Sequence, residues 1–170
     1  MSHTKIGVGA VAVALGIGAA VTPTPAVAAP AESGARMFVY TDPADPKNTR
    51  VTIEGVYPML QADAVGYLNN IYTGKQPGGM EYRVVADDNG EGDTGRVTRW
   101  IAGNGSFDGY RLEATPEGIH HMFIFYVPTS LLNEDDSFTD GDDELYAKAT
   151  FVDADGGRRT QISNVVNGRF

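Results

Sequence analysis

Side chains of alternating polarity run through most of the chain after residue 36 and predict β-strands. Val51, Ile53 and Tyr57 are apolar and alternate with the polar Thr52 and Glu54, and a period of two is typical of a strand with one buried face. The further segments with strand patterns are 37–40, 82–86, 97–102, 110–115, 145–152 and 159–166. The pattern therefore predicts a protein built mainly from strands.

One segment departs from alternation without leaving the strand class. Residues 121–127 are apolar after the first, which predicts a central strand covered on both faces. His120 and His121 stand at its entry and, as neighbours in a strand, point to opposite faces, so we expect a structural role for them. The segments that read as turns are 42–47, 73–79, 87–95, 103–109 and 153–157, the last of Asp-Gly hairpin type.

A helical period is found once in this part of the chain. Leu60, Ala64, Val65, Leu68 and Ile71 recur at spacings of one, three and four, which predicts one short amphipathic helix near 58–71. About seven or eight strands separated by turns favour an antiparallel β-sandwich. We expect immunoglobulin-like or C2-like architecture, with a small β-barrel as the alternative.

The first 28 residues have the pattern of a cleaved secretory signal peptide. Lys5 precedes the uncharged segment 6–21, and the small residues Ala26 and Ala28 suit the signal peptidase. Cleavage after Ala29 fits as well. The uncharged segment is shorter than the roughly 20 apolar residues that span a bilayer. We therefore expect a signal peptide over 1–28, a flexible tail over 29–36 and a single β domain over 37–170.

Composition restricts the expected location of this domain and the classes of partner that it can bind. The chain has no cysteine, which excludes a lipidated cysteine, disulfides and thiolate metal sites, so a released, secreted protein is expected. The leader, rich in Ala, Gly and Val, is similar to those of high-GC Gram-positive bacteria. A net charge of −9 argues against binding nucleic acid or an anionic membrane, and we expect no membrane insertion after cleavage.

No nucleophile motif and no phosphate-binding loop is found in the sequence. The leading functional prediction is a monomeric, non-enzymatic binding domain whose ligand is a cell-envelope carbohydrate or a protein. One alternative is a hydrolase with a carboxylate site, because the geometry of a carboxylate pair is three-dimensional and leaves no motif. Another is a protease inhibitor that presents loop 73–79 or loop 42–47.

Two acidic loops could hold a cation. Seven acids fall within residues 134–144, and a second acidic turn covers 87–93. Calcium takes six to eight oxygen ligands, largely from carboxylates and carbonyls, although neither loop has full EF-hand spacing. The candidate ligands are Asp87, Asn89, Glu91, Asp136, Asp140, Asp142 and Asp143, and a solvated turn is the competing interpretation.

Aromatic residues provide a second kind of candidate site. Trp100, the only tryptophan, and Tyr110 lie on either side of the turn 103–109. Exposed rings can stack on sugars, whereas core packing is the more common role of such rings. The face of Trp100 is undecided, because the opposite face of its strand contains Arg99. Trp100 and Tyr110 are therefore the predicted ligand-binding residues.

Calcium binding can be measured directly. A cation that binds only the folded protein must raise its unfolding midpoint. We predict that millimolar calcium raises the midpoint of thermal unfolding, measured by circular dichroism with and without a chelator. An unchanged midpoint would contradict the calcium hypothesis.

Overall fold

The chain folds into two antiparallel sheets that pack face to face. The computed structural model describes residues 34–74, 76–86, 94–133 and 143–170. Its strands are β1 (Gly34–Thr41), β2 (Asn48–Pro58), β3 (Gly79–Ala86), β4 (Thr94–Ala102), β5 (Gly105–Phe107), β6 (Tyr110–Thr115), β7 (Gly118–Pro128), β8 (Asp143–Val152), β9 (Arg158–Ile162) and β10 (Val166–Gly168). One α-helix, α1 (Gln61–Asn69), and a 3-10 turn (Thr129–Leu131) complete the described elements.

Sheet A has the order β1-β2-β7-β6-β5, and sheet B has the order β10-β8-β3-β4 with β9 also paired to β8. All pairings are antiparallel. The predicted antiparallel sandwich is thus confirmed, and the described strands form two sheets rather than a barrel. The strand count is higher than expected because the turn 103–109 contains the short β5, and the last predicted strand divides into β9 and β10.

The core lies between the inner faces of the two sheets. In β2 and β7, register places Ile53 beside Phe123 and Val51 beside Phe125, and these rows face sheet B. The fully buried members from sheet B include Met80, Tyr82, Val84, Leu145, Ala147, Ala149 and Phe151. Strand alternation thus brings the apolar residues of each strand to one side.

Strand β7 is central, as predicted, but it is not covered on both faces. Phe125 and Val127 are buried, whereas Met122 and Ile124 are only partly buried and Tyr126 is exposed. Sheet B covers the inner face only, so the apolar residues of the outer face remain accessible. The prediction of a doubly covered strand is wrong for this reason.

Helix α1 is shorter than the predicted segment and buries part of the predicted apolar face. Ala64, Leu68 and the following Ile71 are buried, while Leu60 and Val65 are exposed. Asn70 ends the helix at its C-cap. Among the described residues, no helix is long and apolar enough to cross a membrane.

The edge strand β1 is connected to sheet B by one side-chain amide. Asn164, between β9 and β10, accepts a hydrogen bond from the Met37 N–H at 2.9 Å and donates to the Met37 carbonyl at 3.2 Å. This pair of bonds reproduces the pattern of a β-bridge. It satisfies backbone groups at an edge that would otherwise be open to pairing with another chain. Strand β1 begins at Gly34, three residues before the segment that the sequence predicted.

A buried polar network joins the sheets at His121. Its Nε2 lies 3.2 Å from Oε1 of Gln161 on β9, and its Nδ1 lies 3.4 Å from the hydroxyl of Tyr82 on β3. Gln161 also donates from Nε2 to the Val56 carbonyl at 2.7 Å. Since that bond fixes the amide orientation, Oε1 must accept from His121 Nε2–H, and Nδ1 then accepts from the Tyr82 hydroxyl. The network defines a neutral imidazole in one tautomer.

Gly55 provides the space for this imidazole. It is the cross-strand partner of His121, and a Cβ atom at Gly55 would lie 2.7 Å from His121 Nε2 and 2.9 Å from the Gly34 carbonyl oxygen. Both distances are too short for a carbon atom. A residue without a side chain is therefore needed beside the buried histidine.

Protonation of His121 should destabilise the fold. Burial lowers its pKa from 6.5 to about 4, so the unfolded chain binds this proton more readily than the folded protein. The contribution of His121 to the free energy of unfolding is fully present above pH 6.5, decreases as the pH falls, and is lost below pH 4. We predict a loss of about 2 to 3 kcal/mol between pH 7 and pH 4.5 from this residue, measured by urea unfolding.

The comparison variant is His121→Gln, which is neutral at every pH and should lose less stability over the same interval. His120→Gln serves as the control, because His120 lies on the outer face beside Glu113, at 3.7 Å. It should retain most of the dependence of the unmodified protein, because burial is the largest cause of the lowered pKa of His121 and the charge of His120 is the last of the causes. Equal losses in the unmodified protein and in His121→Gln would contradict the assignment.

Candidate ligand-binding site

Two exposed tyrosines and an arginine form a row across the outer face of sheet A. Register pairs Tyr40 on β1 with Arg50 on β2, and Arg50 with Tyr126 on β7. Tyr40 is 53% exposed and Tyr126 is 66% exposed. The row faces outward because its neighbours Val51 and Val127 occupy the opposite, buried face.

The arginine lies between the rings and contacts one of them. The Arg50 guanidinium carbon is 5.4 Å from the centre of the Tyr40 ring, within cation–π range. Arg50 makes no salt bridge with a described residue. Its N–H groups are therefore available above the sheet, in an orientation that the stacking on Tyr40 restricts.

The loop between β1 and β2 adds polar groups to one side of this row. Asp42 accepts from the Ala44 N–H at 2.9 Å through Oδ1, and Asn48 donates to Oδ2 of Asp45 at 2.9 Å. Each bond uses one carboxylate oxygen. The second oxygen of each aspartate makes no hydrogen bond within the described part of the chain, so both can accept one from a ligand.

A chain of three threonine hydroxyls holds this loop from below. The Thr129 hydroxyl donates to the Pro46 carbonyl at 2.9 Å, and the Thr129 backbone N–H donates to the Lys47 carbonyl. The hydroxyl oxygen of Thr49 lies 2.9 Å from that of Thr129, and the hydroxyl oxygen of Thr41 lies 2.7 Å from that of Thr49. Since Thr129 uses its proton on Pro46, Thr49 must donate to Thr129 and Thr41 to Thr49. The loop is therefore fixed to both strands and to the 3-10 turn.

Together these groups line a concavity of about 180 Å³. Its lining residues are Tyr40, Asp42, Asp45, Asn48, Arg50 and Tyr126. It offers two aromatic faces, two carboxylates, an amide and a guanidinium within one small area. Few polar groups at fixed positions beside aromatic surface are typical of a small-ligand site.

The aromatic surface extends beyond this concavity along β1. Phe38 is also exposed and lies two residues before Tyr40 on the same face. We call Phe38, Tyr40 and Tyr126 the aromatic face. Strand geometry places the Cα atoms of residues two apart, such as Phe38 and Tyr40, about 6 to 7 Å from each other, and Cα atoms two strands apart, such as those of Tyr40 and Tyr126, about 10 Å from each other. The aromatic face therefore suits a flat or extended ligand longer than one ring.

The structure separates the two aromatic residues that the sequence proposed as ligand-binding. Tyr110 is 1% exposed, and its hydroxyl donates to the Gly103 carbonyl at 3.1 Å, so its ring has no face for a ligand. Trp100 is 46% exposed on the outer face of sheet B. Arg99 belongs to the inner face, and its guanidinium carbon lies 6.0 Å from the centre of the Phe125 ring.

Most of the predicted cation ligands lie outside the described residues. These are Asp87, Asn89, Glu91, Asp136, Asp140 and Asp142. Asp143 is described and begins β8, where it is buried. Within the described ranges, no group of three His, Asp or Glu side chains is placed to hold a metal. Register puts Ala86 beside Thr94 and Leu145, so residues next to each acidic loop lie at one end of sheet B. Calcium binding stays a prediction.

A further concavity, about 540 Å³, lies between α1 and the β8–β9 turn and contains three carboxylates. Asp153 accepts from the N–H groups of Asp155 and Gly157 at 2.9 and 2.8 Å, so it stabilises the turn. Arg159 donates to the Tyr67 hydroxyl at 2.8 Å and lies over its ring. Asp63 and Asp155 are the remaining carboxylates of this concavity.

Sequence reasoning did not identify Tyr40 and Tyr126, although a signal for each was present. Alternation with the buried Met37 places Phe38 and Tyr40 outward. Alternation with Phe125 and Val127 does the same for Tyr126. The row itself could not be predicted, because it depends on β2 lying between β1 and β7.

Comparison with known proteins identifies no relative: no protein family, no curated protein and no solved structure matches the chain. A functional assignment therefore depends on the geometry of this chain alone.

The threonine chain can be tested by removing its last hydroxyl. We predict that Thr129→Val lowers the free energy of unfolding by about 1 to 3 kcal/mol, because the Thr49 hydroxyl and the Pro46 carbonyl both lose a buried partner. Chemical unfolding measures the change. Thr52→Val is the control, since the Thr52 side chain makes no hydrogen bond with a described residue, and its change should stay within about 0.5 kcal/mol. Equal effects would contradict this role of Thr129.

Proposed function

We propose that this protein is a secreted, non-enzymatic domain that binds an extended, uncharged glycan chain of a cell envelope. The observation that carries the proposal is the row Tyr40–Arg50–Tyr126, two exposed rings separated by a guanidinium on one flat face. The predicted signal peptide supports the location, because such chains lie outside the cytoplasm.

The rings supply the contact area. The face of an aromatic ring carries partial negative charge and attracts groups that carry partial positive charge. The C–H groups on one face of a pyranose ring are such groups. Two rings about 10 Å apart across the sheet, with Phe38 beside them, would contact different sugars of one chain. Tyrosine adds a hydroxyl at the border of this contact.

The polar groups supply orientation and select for an uncharged ligand. Arg50 and Asn48 donate, while Asp42 and Asp45 accept, and neighbouring sugar hydroxyls can both donate and accept. Two carboxylates against one guanidinium disfavour an acidic polysaccharide, as does the net charge of −9. The anchored loop limits the entropy lost when a ligand binds.

The proposal is tested by the binding of the purified protein to insoluble polysaccharide. We predict that chitin or cellulose removes the protein from solution and that Tyr126→Ala weakens this binding about tenfold or more, which corresponds to about 1.4 kcal/mol. Depletion isotherms provide the measurement. Alginate beads, which are acidic, should remove none of it.

Tyr72→Ala is the matched control, because Tyr72 is also exposed but lies outside the aromatic face. It should bind like the unmodified protein. Absence of binding to both neutral polysaccharides would refute the glycan proposal, as would equal effects of Tyr126→Ala and Tyr72→Ala.

A hydrolase is the second candidate, favoured by Asp63 and Asp155 in the concavity between α1 and the β8–β9 turn. Glycoside hydrolysis uses a pair of carboxyl groups on either side of the scissile bond. The same incubations distinguish the two functions. Release of soluble reducing sugars would favour the hydrolase, whereas binding without release favours the non-enzymatic domain.

A further inference from the structure

A second concavity lies on the opposite surface of the sandwich, around the only tryptophan. It measures about 330 Å³ and is lined by Gln76, Pro77, Glu81, Trp100, Val152 and Arg158. Trp100 and Glu81 are cross-strand partners on the outer face of sheet B. The aromatic face belongs to sheet A, and packed sheets lie about 10 Å apart with the core between them. One flat ligand therefore cannot contact both sites.

The polar groups beside Trp100 are paired and fixed. Arg158 lies 3.0 Å from Oε2 of Glu81, and the register continues from Glu81 to Thr150 and then Thr160. The hydroxyls of Thr150 and Thr160 are 2.8 Å apart. An exposed indole thus lies beside a carboxylate–guanidinium pair. The hydroxyls of Thr150, which is buried, and Thr160 bond to each other farther across the sheet.

This arrangement has the same chemistry as the site on sheet A. Both combine exposed aromatic surface with a guanidinium and carboxylate oxygens, which come from Arg50, Asp42 and Asp45 on sheet A and from the ion pair of Arg158 and Glu81 on sheet B. The charges of Glu81 and Arg158 cancel, which suits an uncharged ligand. An isolated surface ion pair of this kind contributes little to stability, so its arrangement beside an exposed indole can serve recognition.

We propose that Trp100, Glu81 and Arg158 form a second binding site for the same class of uncharged glycan, so that one molecule holds two chains. This inference rests on the proposed function for its ligand class. Where two neighbouring chains occupy both sites at once, the second binding event is intramolecular and the apparent affinity rises. The two sites also allow one molecule to link neighbouring chains of an envelope.

The tryptophan is itself the probe of this site, because the chain contains one. Chitohexaose and cellohexaose are titrated into the purified protein while tryptophan fluorescence is recorded, and calorimetry gives the number of bound molecules. We expect a saturable fluorescence change and two molecules bound per protein. Tyr126→Ala should keep the fluorescence change and bind one molecule, and Glu81→Gln should weaken the fluorescence-detected binding about tenfold.

Trp100→Ala should bind one molecule, at the aromatic face, and lose the ability to aggregate suspended chitin or cellulose particles. Trp100→Phe keeps an aromatic ring and should still bind two. Tyr72→Ala, outside both sites, should behave like the unmodified protein in every measurement.

The outcomes separate this inference from the proposed function. One bound molecule, with fluorescence unchanged by either hexasaccharide, would overturn the second site while leaving the site on sheet A intact. A fluorescence change that disappears in Tyr126→Ala would overturn it as well, because the two sites would not be independent. No binding of either hexasaccharide by any method would overturn both proposals.

Discussion

The contact between the two sheets is the constraint on which the rest of the structure depends. The chain has no cysteine and hence no disulfide, and within the described ranges the side chains between the sheets and a few bonds at the edges hold the sheets together. Most of these side chains are apolar, and their burial is the main favourable term. Tyr57 adds direction: its hydroxyl donates to the Ala149 carbonyl at 2.7 Å and accepts from the Phe151 N–H at 3.1 Å. His121, Tyr82 and Gln161 add a second polar connection, which is satisfied only in one register of the sheets.

Side-chain amides complete the structure where backbone pairing ends. Asn164 bonds both backbone groups of Met37, and Asn133 does the same for the last residue, with its amide bonded to the Phe170 carbonyl at 2.6 Å and N–H at 3.1 Å. Each amide presents a donor and an acceptor side by side, as a neighbouring strand would. The outer faces of both sheets carry exposed aromatic residues, and the proposed function assigns these residues a role in binding.

Much of the fold could be predicted because the alternation of polar and apolar residues is a local property. It identified the strands around Ile53 and Leu112, the single helix with Ala64 and Leu68 buried, and the Asp-Gly turn before β9. It failed where burial depends on distant elements. The apolar residues 122, 124 and 126 indicated a covered strand, yet sheet B packs on one face of β7 only. The orientation of Trp100 could not be predicted, because it depends on a tertiary contact: Arg99 packs against Phe125 at the border of the core, and Trp100 therefore faces outward.

The candidate sites show the same limit more strongly. Tyr40 and Tyr126 are separated by most of the described chain and become neighbours of Arg50 only through the order β1-β2-β7. Glu81 and Arg158 likewise meet because β8 lies between β3 and β9. No linear motif can encode such rows, since each strand contributes one residue. The sites also differ in what surrounds them: the loop over sheet A is fixed by three threonine hydroxyls, whereas the pair on sheet B is held by one salt bridge. The site on sheet A is therefore the more preorganised of the two, and under the proposed function it would provide most of the affinity for a single chain.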